Sequence, residues 1–276
     1  MTWTCVGRYR WLAMAAAFSI ATASHAATGL EPGGLSEFNV ELPQQLRQIA
    51  GHGTPSPIAH ALVTIAVPAN FDAANAYPVM VISATSDAEY RSSRRLLGAY
   101  ADAARQAGWI LVAADAAEDI AVGQDDVGLR YALNAAALAA LALQWPGAAK
   151  APLAFGGFSG GAKYSGWLAA AFASQGRSIS GIYLAGINAD TIVVAAQHFN
   201  VLDDRFRRIP VFLQSGEKDE VATPDDHRAV YDRLKRARFK DVRIKYVTAA
   251  HEVDPAPLRA ALDWFRTLNG QSGQGR

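Results

Sequence analysis

Short apolar runs recur along the chain and alternate with longer segments whose apolar positions follow a helical period. Most of the short runs are almost continuously apolar, which is typical of strands buried on both faces of a sheet. The run at positions 60–67 instead alternates between apolar and polar residues. The pattern predicts eight strands, at Phe38–Leu42, His60–Val67, Pro78–Ala84, Trp109–Ala114, Pro152–Phe155, Gly181–Ala185, Pro210–Leu213 and Val242–Val247.

The longer segments between the later strands carry helix start and stop signals. Two of them stop at a glycine, Gly108 and Gly176, and another has Thr223 as a cap, Pro224 at the first helical position and Asp226 three residues after the cap. Strands that alternate with helices predict an α/β fold with a mostly parallel eight-stranded sheet and helices on both faces. The predicted helices are Glu89–Ala107, Val127–Leu143, Gly160–Gln175, Pro224–Arg238 and Pro257–Leu268.

The N-terminus has the pattern of a secretory signal peptide. Two arginines precede an apolar run that is short for a membrane span, and Ser24 and Ala26 place small residues at the spacing of a cleavage site. The pattern predicts a signal peptide at 1–26 and a single α/β domain at 27–276. The protein is therefore expected to be periplasmic or secreted, in a bacterium. A buried or membrane-anchoring N-terminal helix is the alternative.

Charge and cysteine content narrow the function classes. The chain has 26 Lys and Arg residues against 25 Asp and Glu residues, so it offers no electrostatic footprint for nucleic acid. We expect no nucleic-acid partner and no membrane span once the signal is removed. The only cysteine, Cys5, lies inside the predicted signal, so the mature chain is expected to have no disulfide, no thiolate nucleophile and no cysteine-based metal site.

One sequence motif between a predicted strand and a predicted helix indicates a nucleophilic serine. Gly157, Ser159 and Gly161 fit the pattern G-x-S-x-G, between a predicted strand and a predicted helix. A serine on such a sharp turn takes a strained backbone, and side chains two residues away on either side would collide with their neighbours. The helix that follows directs its first amides to the space beside the hydroxyl, where negative charge develops in acyl transfer. A glycine-rich turn that holds a phosphate is the alternative, although the Walker spacing is missing.

A serine nucleophile on such a turn requires an acid and then a histidine later in the chain, each after a strand. His251 follows the last predicted strand, and Asp219 follows the strand before it. Glu217 and Glu220 compete with Asp219, which is preferred because a glycine turn would bring its short carboxylate back over the sheet. Asp190, after the preceding strand, is the reserve candidate. Ordinary surface-loop roles for the acid and the histidine are the alternatives.

The order Ser159, Asp219, His251 in this strand and helix frame resembles the α/β-hydrolase superfamily. The segments 67–72 and 77–81 are similar to secreted esterases of the polyhydroxybutyrate-depolymerase and feruloyl-esterase type. The resemblance covers about residues 61–268 and implies the α/β-hydrolase fold for the single domain at 27–276. Such esterases usually carry His-Gly after the third strand, whereas the segment 82–87 of this chain reads Ile-Ser-Ala-Thr-Ser-Asp.

The resemblance implies two-step acyl transfer in which His251 takes the proton of Ser159 and Asp219 orients the imidazole. The backbone amide of Gly160 and that of Thr85 or Ser86 are expected to hold the oxyanion. No metal or organic cofactor is required. The expected activity is a secreted serine esterase acting on a small-molecule or polymeric ester. A serine peptidase or amidase on the same fold and a non-catalytic binding protein are the alternatives.

Loops at the carboxyl ends of the strands are expected to border the site. The segment 192–199 could form an apolar lid or, as we favour, a helix packed on the sheet. A cluster of three arginines could attract a carboxylate, although its helical spacing is more typical of an exposed face. The loop residues are Tyr90 and Arg91, 115–126 and 188–200, and the arginines are Arg91, Arg94 and Arg95.

Overall fold

A computed structural model describes the chain over residues 29–87, 91–120 and 125–273, so the predicted signal peptide at 1–26 lies outside the described residues. The described chain contains an eight-stranded sheet in the order β1-β2-β4-β3-β5-β6-β7-β8. The strands are β1 Leu35–Glu41, β2 His60–Ala66, β3 Val79–Ser83, β4 Ile110–Ala116, β5 Leu153–Phe158, β6 Ile179–Ala185, β7 Val211–Gly216 and β8 Val242–Val247.

Six of the strands, from β4 across to β8, pair in parallel, and β2 runs antiparallel to both of its neighbours, β1 and β4. This confirms the predicted mostly parallel sheet. The chain moves outward from β3 to β4 on one side and returns to build β5 on the other side of β3. The carboxyl ends of β3 and β5 therefore meet at a switch point in strand order, where open α/β sheets bind ligands.

Helices cover both faces of the sheet, as predicted. One face packs against α1, α3, α4, α5 and α6, and the other face packs against α2 and α7. The helices are α1 Gln44–Ala50, α2 Ser93–Ala107, α3 Val127–Gln144, α4 Gly160–Ser174, α5 Ile192–His198, α6 Pro224–Arg236 and α7 Ala256–Gly273, with short 3-10 turns at Pro146–Ala149 and Phe206–Arg208.

Helix α3 is the one helix among the described residues that is long and apolar enough to cross a membrane. It is mostly buried within the protein, with Leu129, Leu133 and Leu141 in the core between the sheet and its neighbours. Core helices commonly pass a test of length and composition, because burial inside a protein and burial inside a membrane select the same residues.

Several predicted boundaries were wrong for identifiable reasons. Strands β5 and β7 continue past their predicted ends to Phe158 and Gly216, since glycines that suggest a turn in sequence here pair within the parallel ladders. Strand β8 lies at the sheet edge and is largely exposed, rather than buried on both faces. Helix α1 was not predicted, because only Leu46 and Ala50 of its seven residues are buried and its apolar period is therefore short.

The helix starts reflect local capping. Helix α6 begins with the predicted capping box, in which Thr223 and Asp226 bond each other's backbone amides and Pro224 follows the cap. Helix α2 begins at Ser93, after the predicted Glu89, because Ser92 caps it and the carboxylate of Asp115 accepts its first amides. Residue 89 itself lies outside the described residues.

Candidate active site

Ser159 lies on a sharp turn between β5 and α4. Its backbone has φ 56° and ψ −121°, a left-handed region that costs a serine free energy. A Cβ at either Gly157 or Gly161 would overlap the carbonyl oxygen of Ser83 at the end of β3. Glycine at these positions is therefore a requirement of the packing against β3, as the motif predicted. The turn leaves the Ser159 side chain half-exposed at the carboxyl edge of the sheet.

His251 lies beside the hydroxyl of Ser159, although 92 residues separate them in the chain. The imidazole Nε2 is 3.0 Å from Ser159 Oγ, and Nδ1 is 2.8 Å from Asp219 Oδ2. An ionised carboxylate can only accept hydrogen bonds, so Nδ1 carries a proton that it donates to Asp219. In the neutral ring Nε2 is then free to accept the proton of the Ser159 hydroxyl.

The carboxylate of Asp219 is buried and accepts three hydrogen bonds. Its Oδ1 accepts the amides of Val221 and Ala222 at 2.8 and 2.7 Å, while Oδ2 faces His251. Burial by itself would raise the pKa of Asp219, but the amide of Ala222, the ring of His251 and the amide of Val221 together lower it below its ordinary value. Asp219 is thus held as an anion against the imidazole.

The competing acids have other partners. Glu217 is exposed and accepts a hydrogen bond from Thr248 Oγ1 at 2.8 Å, and Glu220 is exposed on the same loop. Asp190, the reserve candidate, caps α5 by accepting two of its amides and pairs with Arg233 at 2.7 Å. The structure therefore brings Ser159, His251 and Asp219 together and places the reserve acid in a capping role.

Two residues around the imidazole were not predicted. The ring of Phe158 packs against the ring of His251, with centroids 4.7 Å apart. Gly186, with φ 60°, follows β6, and a Cβ there would lie 2.9 Å from the Phe158 ring and 3.1 Å from Cε1 of His251. A glycine directly after a buried strand is the only signal in the sequence that could have indicated such a close approach.

His227 holds two of the neighbouring loops together. It is fully buried on α6, where Nε2 accepts the amide of Ile187 at 3.1 Å and Nδ1 donates to the carbonyl of Thr223 at 3.0 Å. Burial lowers the pKa of His227, which favours the neutral ring that this pair of hydrogen bonds requires. It therefore links the loop that carries Gly186 to the segment after Asp219.

Comparisons with known proteins place this geometry in a fold. No family model matches the chain, and a search of curated proteins finds no match. An α/β serine hydrolase without a lid from Xanthomonas campestris is 17% identical over 86% of this chain and 96% of its own, with a TM-score of 0.57. A Rhizomucor miehei esterase is 14% identical over 88% and 87%, with a TM-score of 0.58. The dienelactone hydrolase of Anabaena variabilis is 16% identical over 84% and 98%, with a TM-score of 0.56.

The chain has the α/β-hydrolase fold. In this α/β-hydrolase fold the predicted second donor segment lies next to the serine turn. Thr85 is buried directly after β3, and a Cβ added to Gly160 would lie 2.5 Å from Thr85 Oγ1. Ser86 is more exposed than Thr85. Gly160 is the first residue of α4, so its amide has no partner within the helix.

The remaining loops of this α/β-hydrolase fold have mainly structural contacts. Arg94 is exposed and pairs with Glu37 on the edge strand, which indicates an exposed face for the arginine cluster. Helix α5 packs on the core through Ile192 and Val193, so the segment 192–199 is a packed helix rather than a lid. Tyr90 and positions 121–124 lie outside the described residues.

No group of three or more His, Cys, Asp or Glu side chains that could hold a metal ion occurs within residues 29–87, 91–120 and 125–273. The polar groups around Ser159 are instead an imidazole, a carboxylate and free helix amides. Their arrangement suits proton transfer from an alcohol and stabilisation of an oxyanion.

Proposed function

We propose that the chain is a serine hydrolase that cleaves carboxylic esters through an acyl-enzyme. The observation that carries the proposal is the hydrogen-bonded series from Ser159 Oγ through His251 to Asp219, mounted on a strained turn between a strand and a helix. A serine hydroxyl is a weak nucleophile by itself, and an adjacent imidazole oriented by a carboxylate is the arrangement that activates it.

In the proposed first step, Ser159 Oγ attacks the ester carbonyl while its proton passes to Nε2 of His251. The tetrahedral intermediate collapses when the imidazolium returns that proton to the leaving alcohol, which leaves the acyl group on the serine. In the second step His251 takes a proton from water as the water oxygen attacks the acyl-enzyme carbonyl. The second tetrahedral intermediate then collapses with cleavage of its bond to Ser159 Oγ, which takes the proton back from His251, and the carboxylic acid leaves. Asp219 stabilises the imidazolium in both steps through the Nδ1 hydrogen bond, which its lowered pKa supports.

The proposed oxyanion site uses the Gly160 amide together with that of Thr85 or Ser86. The positive end of the α4 dipole adds to the field that these amides create. The proposal is supported by the close approach of Thr85 to Gly160, which places the segment after β3 beside the helix start. Backbone donors do not depend on a particular side chain, so a departure from His-Gly at this position is compatible with the role.

A panel of p-nitrophenyl esters and peptide p-nitroanilides, run on the wild type beside Ser159→Ala, tests the proposed activity. We expect the wild type to cleave short-chain esters fastest and Ser159→Ala to lose at least about 10⁴-fold in kcat, because removal of the nucleophile removes the acyl-enzyme route. Faster cleavage of the anilides would replace the esterase with a peptidase or amidase. Folded wild type without any hydrolysis would favour a binding protein.

We extend the proposal to the polyhydroxybutyrate-depolymerase and feruloyl-esterase type, on the likeness of segments 67–72 and 77–81. Hydrolysis of a polyhydroxybutyrate film and of methyl ferulate, each relative to p-nitrophenyl acetate, separates polymer from aryl-ester specificity. Failure on both substrates with retained acetate hydrolysis would remove the subtype and leave the esterase.

Export is proposed on the sequence of residues 1–26 alone. Cell fractionation followed by N-terminal sequencing should find the protein in the periplasm or the medium, beginning at Ala27. A cytoplasmic protein that still begins at Met1 would contradict this part of the proposal.

A further inference from the structure

A buried ion pair lies beside the segment that follows β3. Arg130 on α3 is 2% exposed, and its Nε and Nη2 donate to the two oxygens of Asp125 at 2.7 and 2.6 Å. Asp115 adds a second negative charge 3.7 Å from Nη1. Burying a guanidinium costs free energy even when it is paired with a carboxylate. The hydrogen bonds that Arg130 makes besides those to Asp125 therefore indicate what its burial contributes.

The remaining donors of Arg130 hold the backbone on both sides of the peptide that joins Ala84 to Thr85, directly on one side and through Ser93 on the other. Nη2 lies 3.4 Å from the carbonyl oxygen of Thr85, and Nη1 donates to Ser93 Oγ at 3.1 Å. The same Ser93 oxygen accepts the amide of Ala84 at 3.2 Å. The peptide that joins Ala84 to Thr85 carries the Thr85 amide and is flanked by these two tethers.

The ion pair also contacts the helix that begins at the serine turn. The guanidinium of Arg130 lies 5.3 Å from the ring centroid of Tyr164 on α4, and the Tyr164 hydroxyl donates to the carbonyl of Asp125 at 2.8 Å. Tyr164 is five residues after Ser159. One buried cluster therefore fixes the segment after β3 and the first turns of α4 relative to each other.

We propose that Arg130 is a positioning residue for the oxyanion site, which holds the Thr85 amide beside the Gly160 amide by tethering the Thr85 carbonyl directly and the Ala84 amide through Ser93. The inference rests on the proposed function and selects Thr85 over Ser86 as the second donor. Thr85 is buried against Gly160, whereas Ser86, whose amide shares a peptide unit with the tethered Thr85 carbonyl, is exposed.

Arg130→Lys tests this role because lysine keeps the buried positive charge. A single ammonium cannot replace the planar fork that binds Asp125, Ser93 and the Thr85 carbonyl together. Stopped-flow bursts with p-nitrophenyl acetate separate the dissociation constant of the ester from the acylation rate constant. We expect acylation to slow by about 10- to 100-fold, since loss of one oxyanion donor costs about 10²–10³ and the loop is displaced rather than removed.

Two further readouts distinguish positioning from general damage. The ester dissociation constant should stay within about 2-fold, and the pH profile of acylation should keep the wild-type midpoint, because the Ser159, His251 and Asp219 contacts are not altered. Arg177→Lys is the matched control, since Arg177 also binds two backbone carbonyls but lies after the far end of α4. It should leave acylation unchanged even where it lowers the melting temperature.

Ser93→Ala removes the hydrogen bond to the Ala84 amide without removing a charge. If Arg130→Lys does not fold, the acylation rate constant of Ser93→Ala tests the proposal by itself. Folded variants with acylation within 2-fold of the wild type would overturn the role of Arg130. The role of Arg130 would also be overturned if the midpoint of the pH profile or the ester dissociation constant changed as much as the acylation rate constant. Hydrolysis that survives Ser159→Ala would instead refute the proposed function, so the two failures are distinguishable.

Discussion

The strained backbone of Ser159 predicts that glycine is more stable than alanine at this position. Both Ser159→Gly and Ser159→Ala remove the hydroxyl and its hydrogen bond to His251, so the two variants differ only in a Cβ. At φ 56° and ψ −121° a residue with a Cβ carries strain of about 1–3 kcal/mol, which glycine relieves. Glycine also gives the unfolded chain more freedom, which costs about 0.4–1 kcal/mol.

The difference leaves Ser159→Gly more stable than Ser159→Ala by about 1 kcal/mol, or about 2–4 °C in Tm for a domain of this size. Urea unfolding followed by circular dichroism measures the free energies of unfolding of both variants. Arg238 provides a second comparison far from the imidazole, because it is exposed and has φ 68°, so Arg238→Gly should also be more stable than Arg238→Ala. A Ser159→Gly protein no more stable than Ser159→Ala would refute the strain at the turn.

Three further predictions concern the surroundings of the serine. Asp219→Asn should lower kcat by about 10⁴-fold. Because the folded pKa of Asp219 is lowered, the free energy of unfolding of the wild type should fall as pH drops below about 4. Urea titrations at several pH values should show a smaller loss for the variant. Gly186→Ala places a methyl group 3.1 Å from His251 Cε1 and should lower kcat at least about 10-fold. Gly176 is also at positive φ but has open space around it, so Gly176→Ala should lower the free energy of unfolding without changing kcat. Equal kcat values for the two variants would contradict this prediction. His227 has a lowered folded pKa, so the wild type should lose stability as pH falls below about 6.5; His227→Gln should flatten that slope, and equal slopes would contradict the assignment.

Local signals made much of the fold predictable. The cap of α6 needs only Thr223, Pro224 and Asp226, which are close in sequence, and the structure contains the predicted capping box. The apolar runs indicated the buried parallel strands because a parallel sheet covered on both faces selects apolar residues along the whole strand, whereas the antiparallel β2 was indicated by its alternation. Helix α1 escaped prediction because it buries only Leu46 and Ala50, which are too few residues to show a period.

The candidate site was predictable in part, again from signals that are local in the sequence. The glycines at 157 and 161 indicated a sharp turn, and the order of strands indicated which later loops come to the same edge. The contacts of Arg130 and His227 join segments that are far apart in the chain, since 37 residues separate Arg130 from Ser93 and 40 separate His227 from Ile187. No spacing rule links such positions, so their roles required the folded structure.

Covalent labelling tests the central proposal most directly. The folded wild type and Ser159→Ala are treated with a fluorophosphonate, and intact mass followed by peptide mapping gives the stoichiometry and the position of the adduct. We predict one adduct per wild-type chain, on Ser159, and none on Ser159→Ala, because only an activated serine reacts at a useful rate. Labelling at another residue, or a folded wild type that takes no label, would contradict the account.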